Sequence, residues 1–152
     1  MYIIKKFEDR YNDEVNNFII SVFVEEYGFE QFREGLKEQN NHKYIENGSN
    51  LWIAIDENDN IVGTIALRKH NNEEAEIKKL YVRKDYRGTG LSKELYRKVM
   101  EEAKSKEFSR IFLGTYDKLE SAIHFYLKRG FTQIDELYNE EEGARYFELY
   151  VV

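Results

Sequence analysis

The sequence predicts a mixed α/β fold in a single domain over residues 1–152, with a central, mostly antiparallel twisted sheet of about seven strands flanked by about four helices. Apolar residues recur either in short continuous runs, typical of strands, or at the 3.6-residue spacing typical of amphipathic helices. Three strand-like runs follow one another between residues 51 and 82, which favours an antiparallel meander over a strictly alternating βαβ arrangement. A chain of 152 residues is long enough for one sizeable core.

The first half of the chain alternates between these two patterns. Val15, Phe18, Ile19 and Val22 mark one face of a helix, whereas residues 56–60 are Asp, Glu and Asn that suit a hairpin turn. The predicted elements are a strand over 2–7, a helix over 9–26, a short helix over 29–37, a polar loop over 40–50, and strands over 51–55, 61–67 and 75–82.

The second half contains two further helices. Leu91, Leu95, Val99 and Ala103 form the apolar stripe of a helix that ends near residue 106. A strand over 110–115 precedes another helix, for which Asp117 and Glu120 suggest a capping box and Gly130 a C-terminal cap. Strands over 132–137 and 145–152 complete the predicted order.

Composition excludes several classes of function. The net charge of -6 argues against general nucleic-acid binding and leaves room for a cationic or amine partner. The chain has no cysteine, so it can form neither a disulfide nor a thiolate metal site, and its three histidines show no metal-ligand spacing. No apolar run approaches membrane-spanning length and no long apolar segment follows the N-terminus, so a cytoplasmic protein is expected.

A glycine-containing turn, Arg87-Gly88-Thr89-Gly90-Leu91-Ser92, lies between a predicted strand and a predicted helix. The backbone N–H groups that begin a helix lie at the positive end of its dipole and suit a phosphate or pyrophosphate. The surroundings are basic in an acidic chain, with eight lysines or arginines against two acidic residues between positions 78 and 98. The turn therefore predicts an anionic ligand.

Two familiar nucleotide motifs do not fit this turn. A P-loop ends in Gly-Lys-Ser or Gly-Lys-Thr, whereas Gly90 is followed by Leu91 and Ser92. A dinucleotide fingerprint needs a third glycine three residues after Gly90, where the chain has Lys93, and an alternating βαβ sheet.

Together with two neighbouring segments, the turn closely resembles the GNAT superfamily of acyl-CoA-dependent N-acetyltransferases. Residues 87–92 match the pyrophosphate motif [Q/R]-x-x-G-x-[G/A] except at the last position, and residues 76–82 form the preceding strand, Glu-Ile-Lys-Lys-Leu-Tyr-Val. Residues 122–131 match the A-x-x-x-Y-x-x-x-G-F segment throughout. The likeness is strong over residues 61–131 and extends to the flanks in element order.

Two positions depart from the family pattern. Ser92 replaces the final glycine or alanine, and its small side chain still allows a pyrophosphate to approach the backbone. Leu119 stands where the family often has Asn, which removes a polar contact to the pantetheine or thiol region. These departures keep open a non-catalytic acyl-CoA-binding or regulatory module on the same fold, and a nucleotide-binding protein stays a further alternative if ATP or NAD binds better than coenzyme A.

The resemblance implies acetyl-CoA as cosubstrate, without a metal. The glycine turn would hold the pyrophosphate, and backbone groups of the strand before it would bind the pantetheine arm. The expected cofactor-binding residues are Leu80, Tyr81, Val82, Arg87, Gly88, Thr89, Gly90, Leu91 and Ser92.

For catalysis the resemblance implies Tyr126 as the proton donor to the departing thiolate, whereas a tyrosine packed in the core is the alternative. Glu76 is the candidate base that takes a proton from the acceptor amine, because an alkylammonium must be deprotonated before it attacks. An exposed strand glutamate is the equally weighted alternative, and Glu25, Glu26 and Glu148 are other acidic candidates.

The implied reaction is acetyl transfer to a primary amine of a small molecule or peptide by direct attack. The family's acceptor pocket lies between the first two helices and the C-terminal strands, which predicts Glu25, Tyr27 and Tyr146 as acceptor-binding residues. Six acidic residues against Arg145 in the segment 135–148 fit a cationic acceptor, or else form a solvated loop. The family also implies a possible homodimer, with neither nucleic acid nor membrane as a partner.

Overall fold

The computed structural model describes residues 1–135 and 142–151, which form one sheet with helices on both faces. The strands are β1 Tyr2–Lys6, β2 Asn50–Asp56, β3 Ile61–Lys69, β4 Glu74–Val82, β5 Arg110–Tyr116, β6 Thr132–Ile134 and β7 Ala144–Tyr150. The α-helices are α1 Asn12–Ile19, α2 Arg33–Lys37, α3 Leu91–Ser105 and α4 Glu120–Lys128. Within the described residues, the predicted fold of seven strands and four helices is confirmed.

The strands lie in the order β1-β2-β3-β4-β5-β7-β6, and every neighbouring pair is antiparallel except β4 with β5. These two strands run parallel and pair at Glu74 with Arg110, Ala75 with Ile111, and Glu76 with Phe112. Beyond Glu76 the described residues of β4 and β5 make no further pairs, while β5 stays paired with β7 along its whole length. The sheet therefore opens in its middle.

A bulge at Lys79 changes which face of the sheet each side chain of β4 meets. Lys79 has φ +60°, in the left-handed region, and the register between β3 and β4 shifts there. The Thr64 hydroxyl donates to the Lys79 carbonyl at 2.6 Å and so fixes the bulge. In a regular strand Ile77 and Tyr81 would share a face, but here they pack into opposite cores.

Each face of the sheet covers its own hydrophobic core. Beneath α3 and α4, the predicted stripe of Leu91, Leu95, Val99 and Ala103 is buried as expected. The opposite core packs α1 and the segment after it onto the sheet through Val15, among others. None of the helices in the described part of the chain has the length and apolar character needed to cross a bilayer.

Residues 40–50, predicted as a polar loop, contain a short 3-10 helix at Asn41–Ile45. Amide side chains anchor it, because Asn41 Nδ2 donates to Asn12 Oδ1 at 2.9 Å and to Asn16 Oδ1 at 2.8 Å. Asn41 and Tyr44 are almost completely buried. The sequence pattern missed this order, because the contacts that create it join positions about 25 residues apart.

The ends of two predicted helices also differ. The first helix is interrupted, since α1 ends at Ile19 and the chain continues as a π-helical segment, Ile20–Glu26. The predicted capping box on α4 is wrong: the N-cap is Leu119, without a side-chain hydrogen bond, and the Asp117 N–H donates to the Gly143 carbonyl instead. The Gly130 cap is confirmed by its φ of +91°.

The crossing of β3 under α3 depends on a glycine. A Cβ at Gly63 would lie 3.0 Å from Leu91 Cδ2 and 3.1 Å from Leu95 Cδ1. We therefore expect Gly63→Ala to lower the free energy of unfolding by about 1–3 kcal/mol through overpacking, measured by urea denaturation. Gly35→Ala is the control, because no atom lies within 4 Å of its Cβ position, and alanine in that helix should be neutral or stabilising. Equal effects of both changes would contradict this close packing.

Candidate active site

Three adjoining cavities follow the gap between β4 and β5. The first, which we call the glycine-side groove, has a volume of about 360 Å³ and lies beside the glycine turn. The second, the slot, has a volume of about 80 Å³ and lies between the parted strands. The third, the lysine pocket, has a volume of about 310 Å³ and lies on the far side of the slot from the groove. The groove and the slot share Leu80, Tyr81, Leu119 and Ala122. The slot and the lysine pocket share Ile77, Lys78, Lys79, Tyr81, Gly114, Thr115 and Tyr116. The residues of β4 therefore line all three cavities, which together we call the passage.

Aromatic rings fill the space above the parted strands. Phe23, in the π-helical segment, stacks on Phe29 at a centroid distance of 4.3 Å and lies 5.8 Å from Tyr81 of β4. Phe29 in turn lies 4.8 Å from Tyr116 of β5. Rings from the helical side thus contact both strands where these no longer pair with each other.

The glycine turn has the geometry of an anion cradle. Gly88 and Gly90 have φ of +78° and +93°, and no atom lies within 4 Å of a Cβ built on either residue. The helix α3 starts directly after Gly90 without a side-chain cap. Across the described residues, the N–H groups of positions 91–93 meet no backbone or side-chain acceptor. Unpaired N–H groups and open space together fit a pyrophosphate.

Arg87 already has a partner in this structure. Its guanidinium donates to both carboxylate oxygens of Glu26, at 2.7 Å for Oε1, and its Nε donates to the Val82 carbonyl at 3.0 Å. The bond from Arg87 holds the pKa of Glu26 below its ordinary value. Arg87 therefore ties the glycine turn to the π-helical segment, and its partner Glu26 is not among the residues that line the lysine pocket.

The remaining predicted cofactor-binding residues lie close together. Leu80, Tyr81, Val82, Gly88 and Ser92 line the groove with Arg87. Thr89 donates its hydroxyl to the Tyr86 carbonyl within the turn, and the Leu91 side chain is buried beneath α3. Leu91 can therefore contribute only its backbone to a ligand.

Tyr126 lies on α4 with its ring against the slot. The side chain is 4% exposed and packs edge to face on Phe125 and Phe131, with centroids 5.5 and 5.3 Å away. Its hydroxyl makes no hydrogen bond with any residue that the structure describes. Burial raises the pKa of the phenol well above its ordinary value, so the group stays protonated at neutral pH.

Glu76 is the last residue of β4 that pairs with β5, and its carboxylate lines the lysine pocket. His70 Nε2 lies 2.9 Å from Glu76 Oε1, and the imidazole packs on Phe112 at 4.9 Å. His70 also borders a separate surface opening outside the pocket. The contact between His70 and Glu76 was not predicted from the sequence, although the β3–β4 hairpin, which pairs Arg68 with Glu76, was an available signal.

The structure separates the three residues predicted to bind the acceptor. Tyr146 is buried and lines the lysine pocket beside Glu76. Tyr27 lines the glycine-side groove, and Glu25 is mostly exposed, with its carboxylate 3.8 Å from Arg33. Glu148 pairs with Arg110 at 2.8 Å outside the passage. Three of the six acidic residues in the predicted segment 135–148 lie outside the described residues.

The acidic lining that was expected for the acceptor pocket is not found in the lysine pocket. Lys43, Lys78 and Lys79 line the lysine pocket, and Glu76 is the one acidic residue among its described lining. Burial, reinforced by the charges of Lys43 and Lys78, lowers the pKa of Lys79 to about 7. From the sequence, Lys78 and Lys79 were counted among the basic surroundings of the glycine turn, and Lys43 was not considered. Only the fold brings the two chain segments that carry them together.

Comparison with known proteins identifies the family. Residues 12–131 match the acetyltransferase (GNAT) family. The chain belongs to this family. The sequence-based recognition and the predicted GNAT fold are thereby confirmed, and within the described residues no group of three or more His, Asp or Glu is arranged to hold a metal ion.

Solved structures of GNAT proteins resemble this chain over three quarters of its length or more. A GNAT family acetyltransferase from Staphylococcus aureus Mu50 is 31% identical, with 99% of each chain covered and a TM-score of 0.85. A Bacillus anthracis Ames protein, named for streptothricin acetylation and solved in complex with acetyl coenzyme A, is 30% identical. That match covers 75% of this chain and 69% of the other, with a TM-score of 0.64.

The N-acetylaspartate synthetase of Xenopus tropicalis is 35% identical over 88 residues. The match covers 57% of this GNAT chain and 32% of that relative, so the shared part is about a third of the relative's length.

The low pKa of Lys79 predicts a pH-dependent stability. Because the folded pKa of about 7 lies below the ordinary 10.5, the unfolded chain binds the extra proton between these values and stability rises with pH across them. We expect Lys79→Met to stabilise the protein at pH 7 by roughly 1–2 kcal/mol, allowing for solvent screening of a partly exposed side chain. Urea denaturation at pH 7 and pH 9.5 should show this gain shrinking at the higher pH. The exposed Lys104→Met is the control, and a pH-independent effect of Lys79→Met would contradict the assignment.

Proposed function

We propose that this GNAT protein transfers an acetyl group from acetyl-CoA to a primary amine by direct attack. The observation that carries the proposal is the row of three adjoining cavities along β4, with an anion cradle beside one end and a pocket that contains Glu76 at the other. The slot between these ends is too small for more than a narrow group, as a thioester arm would be. The acetyl-CoA complex of the Bacillus anthracis relative supports the same donor here.

In this proposal the donor binds from the glycine side. Its pyrophosphate accepts hydrogen bonds from the N–H groups at the start of α3, and the two glycines leave room for it. The edge of β4 beyond Glu76, unpaired with β5 in the described chain, offers backbone groups to the amides of the pantetheine arm, much as a strand edge binds an added strand. Leu80 and Val82 border this path.

The transfer then proceeds without a covalent enzyme intermediate. The acceptor ammonium gives up one proton to Glu76, directly or through water, and the nitrogen lone pair attacks the thioester carbonyl. As the tetrahedral intermediate collapses, the carbon–sulfur bond breaks and the new amide nitrogen loses its second proton. The thiolate of coenzyme A takes up one proton and leaves as the thiol, and the other proton passes to solvent.

The environment of Tyr126 favours hydrogen bonding over complete proton transfer. An ordinary phenol has a pKa of about 10 and a thiol about 8.5, and burial raises the pKa of Tyr126 further. Complete proton transfer from the phenol to the thiolate is therefore energetically unfavourable. A hydrogen bond from the phenol, by contrast, stabilises the negative charge that develops on the sulfur throughout the reaction.

Glu76 has a route by which it can pass on its proton. The carboxylate faces the lysine pocket, and His70, bonded to it at 2.9 Å, reaches a second opening on the surface. A proton taken from the acceptor can therefore leave through the imidazole without crossing the bound substrates. This arrangement supports Glu76 as the base in preference to Glu25, Glu26 or Glu148, which lie outside the lysine pocket.

Binding of the donor tests the cradle. Calorimetric titration should show saturable binding of acetyl-CoA and none of ATP at the same concentrations. Gly90→Leu should weaken acetyl-CoA binding at least tenfold, because its side chain enters the space left for the pyrophosphate. Gly28→Leu is matched for backbone strain, with φ +84°, but lies outside the groove and should keep the wild-type affinity. Equal losses in both variants would mean that the cradle is not the binding site.

Turnover tests Tyr126. With an amine that is accepted, Tyr126→Phe should lower kcat roughly 10- to 100-fold, because a transition-state hydrogen bond is lost, and leave the Kd of acetyl-CoA unchanged. Tyr150→Phe, at an exposed tyrosine, is the control.

An unaltered kcat would remove Tyr126 from the mechanism. Acetyl-CoA binding without thiol release from any amine would favour the non-catalytic acyl-CoA-binding module, which the presence of Leu119 and Ser92 in the groove lining keeps as the second candidate.

A further inference from the structure

The lysine pocket collects positive charge from two separate parts of the chain. Lys43 belongs to the short 3-10 helix that the amide network holds on α1, whereas Lys78 and Lys79 are consecutive residues of β4. All three line a pocket of about 310 Å³ that also contains Glu76. A cavity of this volume suits a molecule of amino-acid size.

Tyr44 positions two of the ammonium groups. Its ring is almost completely buried, and Nζ of Lys43 and Nζ of Lys79 lie 5.5 and 5.6 Å from its centroid. The contact with an aromatic face is favourable for a cation but does not neutralise its charge. Two like charges therefore lie close to the same aromatic ring.

The pocket supplies few counter-charges for these cations. Lys78 lies 3.9 Å from Glu76, and Lys43 makes one long contact, 3.4 Å, to the amide oxygen of Gln39. For Lys79 the described residues provide neither an ion pair nor a hydrogen bond to Nζ. Burial and the two neighbouring lysines lower its pKa to about 7, which is the response of a cation that lacks an anion.

The backbone of Lys79 has an energetically unfavourable conformation. Its φ of +60° is one that residues other than glycine adopt rarely, and it belongs to the bulge between β3 and β4. The neighbouring Glu76 is the one group in the described lining that suits an ammonium. The pocket thus has a cationic part and an anionic part next to each other.

We propose that the acceptor is a primary amine that also carries a carboxylate, as a free amino acid does. Its carboxylate binds among Lys43, Lys78 and Lys79, and its ammonium lies at Glu76, directed toward the slot. The inference rests on the proposed acetyl transfer and narrows its substrate class. It also reverses the sequence-based expectation of a cationic acceptor, because a polyamine would bring further positive charge to the three lysines.

The test uses thiol release at saturating acetyl-CoA with the twenty L-amino acids and, as the cationic comparator, spermidine. The best amino acid is then compared with its own α-carboxamide, which keeps the amine and loses the negative charge. We expect kcat/KM to be at least tenfold higher for the acid than for the amide, and spermidine to be a poor acceptor.

Variants then assign this preference to the lysines. Lys79→Met should raise the KM of the acid tenfold or more, leave the amide nearly unaffected, and keep the Kd of acetyl-CoA, so that the acid-to-amide ratio falls toward one. Lys43→Met should act in the same direction, and Lys104→Met, on the exposed end of α3, should change nothing. Because the comparison is between two substrates of one variant, a partly unfolded preparation cannot imitate the result.

Two results overturn the inference while leaving acetyl transfer intact: equal use of acid and amide, or a preference for spermidine. A protein that binds acetyl-CoA but releases no thiol with any amino acid or with spermidine would overturn the inference and favour the non-catalytic module. A protein that binds no acetyl-CoA would instead contradict the proposed function itself.

Discussion

The separation of β4 from β5 after three residue pairs is the constraint on which the rest of the molecule depends. Two adjacent strands that stop pairing leave backbone donors and acceptors without partners in the middle of a sheet, and such groups are costly to bury. The fold tolerates this because β3 holds β4 along its other edge and β7 holds β5 along its whole length. The gap is therefore an interior surface with unused hydrogen-bonding capacity, which a substrate can satisfy.

Aromatic side chains keep that gap from closing. Phe23 of the π-helical segment and Phe29, three residues beyond its end, lie against Tyr81 and Tyr116, one on each parted strand. Rigid rings are well suited to this position, because they fill space between elements whose backbones do not touch and lose little conformational freedom on ordering. The high aromatic content of the chain, 15%, thus has a particular use at the site in addition to filling the two cores.

Sequence reasoning was most successful where the pattern is local. The stripe of Leu91 to Ala103, the cap at Gly130 and the strand meander each depend on neighbours within about one turn or one hairpin, and all appear as expected. The glycine turn was likewise located by its own six residues together with the basic charge around them.

Features that depend on distant contacts were missed. The order of Asn41–Ile45 comes from amides on α1, and the charge of the lysine pocket comes from Lys43 meeting β4 across the fold. The bulge at Lys79 could not be recognised from the alternation of apolar residues, although it determines on which face of the sheet Tyr81 packs. Tyr27 and Tyr146, which were expected on opposite walls of one acceptor pocket, lie in different cavities.

The ion pair between Arg87 and Glu26 affects how tightly an anion can bind at the glycine turn. An anion that arrives there does not meet a bare guanidinium but competes with a carboxylate that already holds it through two hydrogen bonds. The free energy of anion binding at this turn is consequently a difference. It compares the ion pair that Arg87 forms with the ligand with the ion pair that it already forms with Glu26. A singly charged, weakly hydrogen-bonding ion gains almost nothing from such an exchange, whereas a ligand with several phosphate oxygens can use Arg87 and the N–H groups of α3 together.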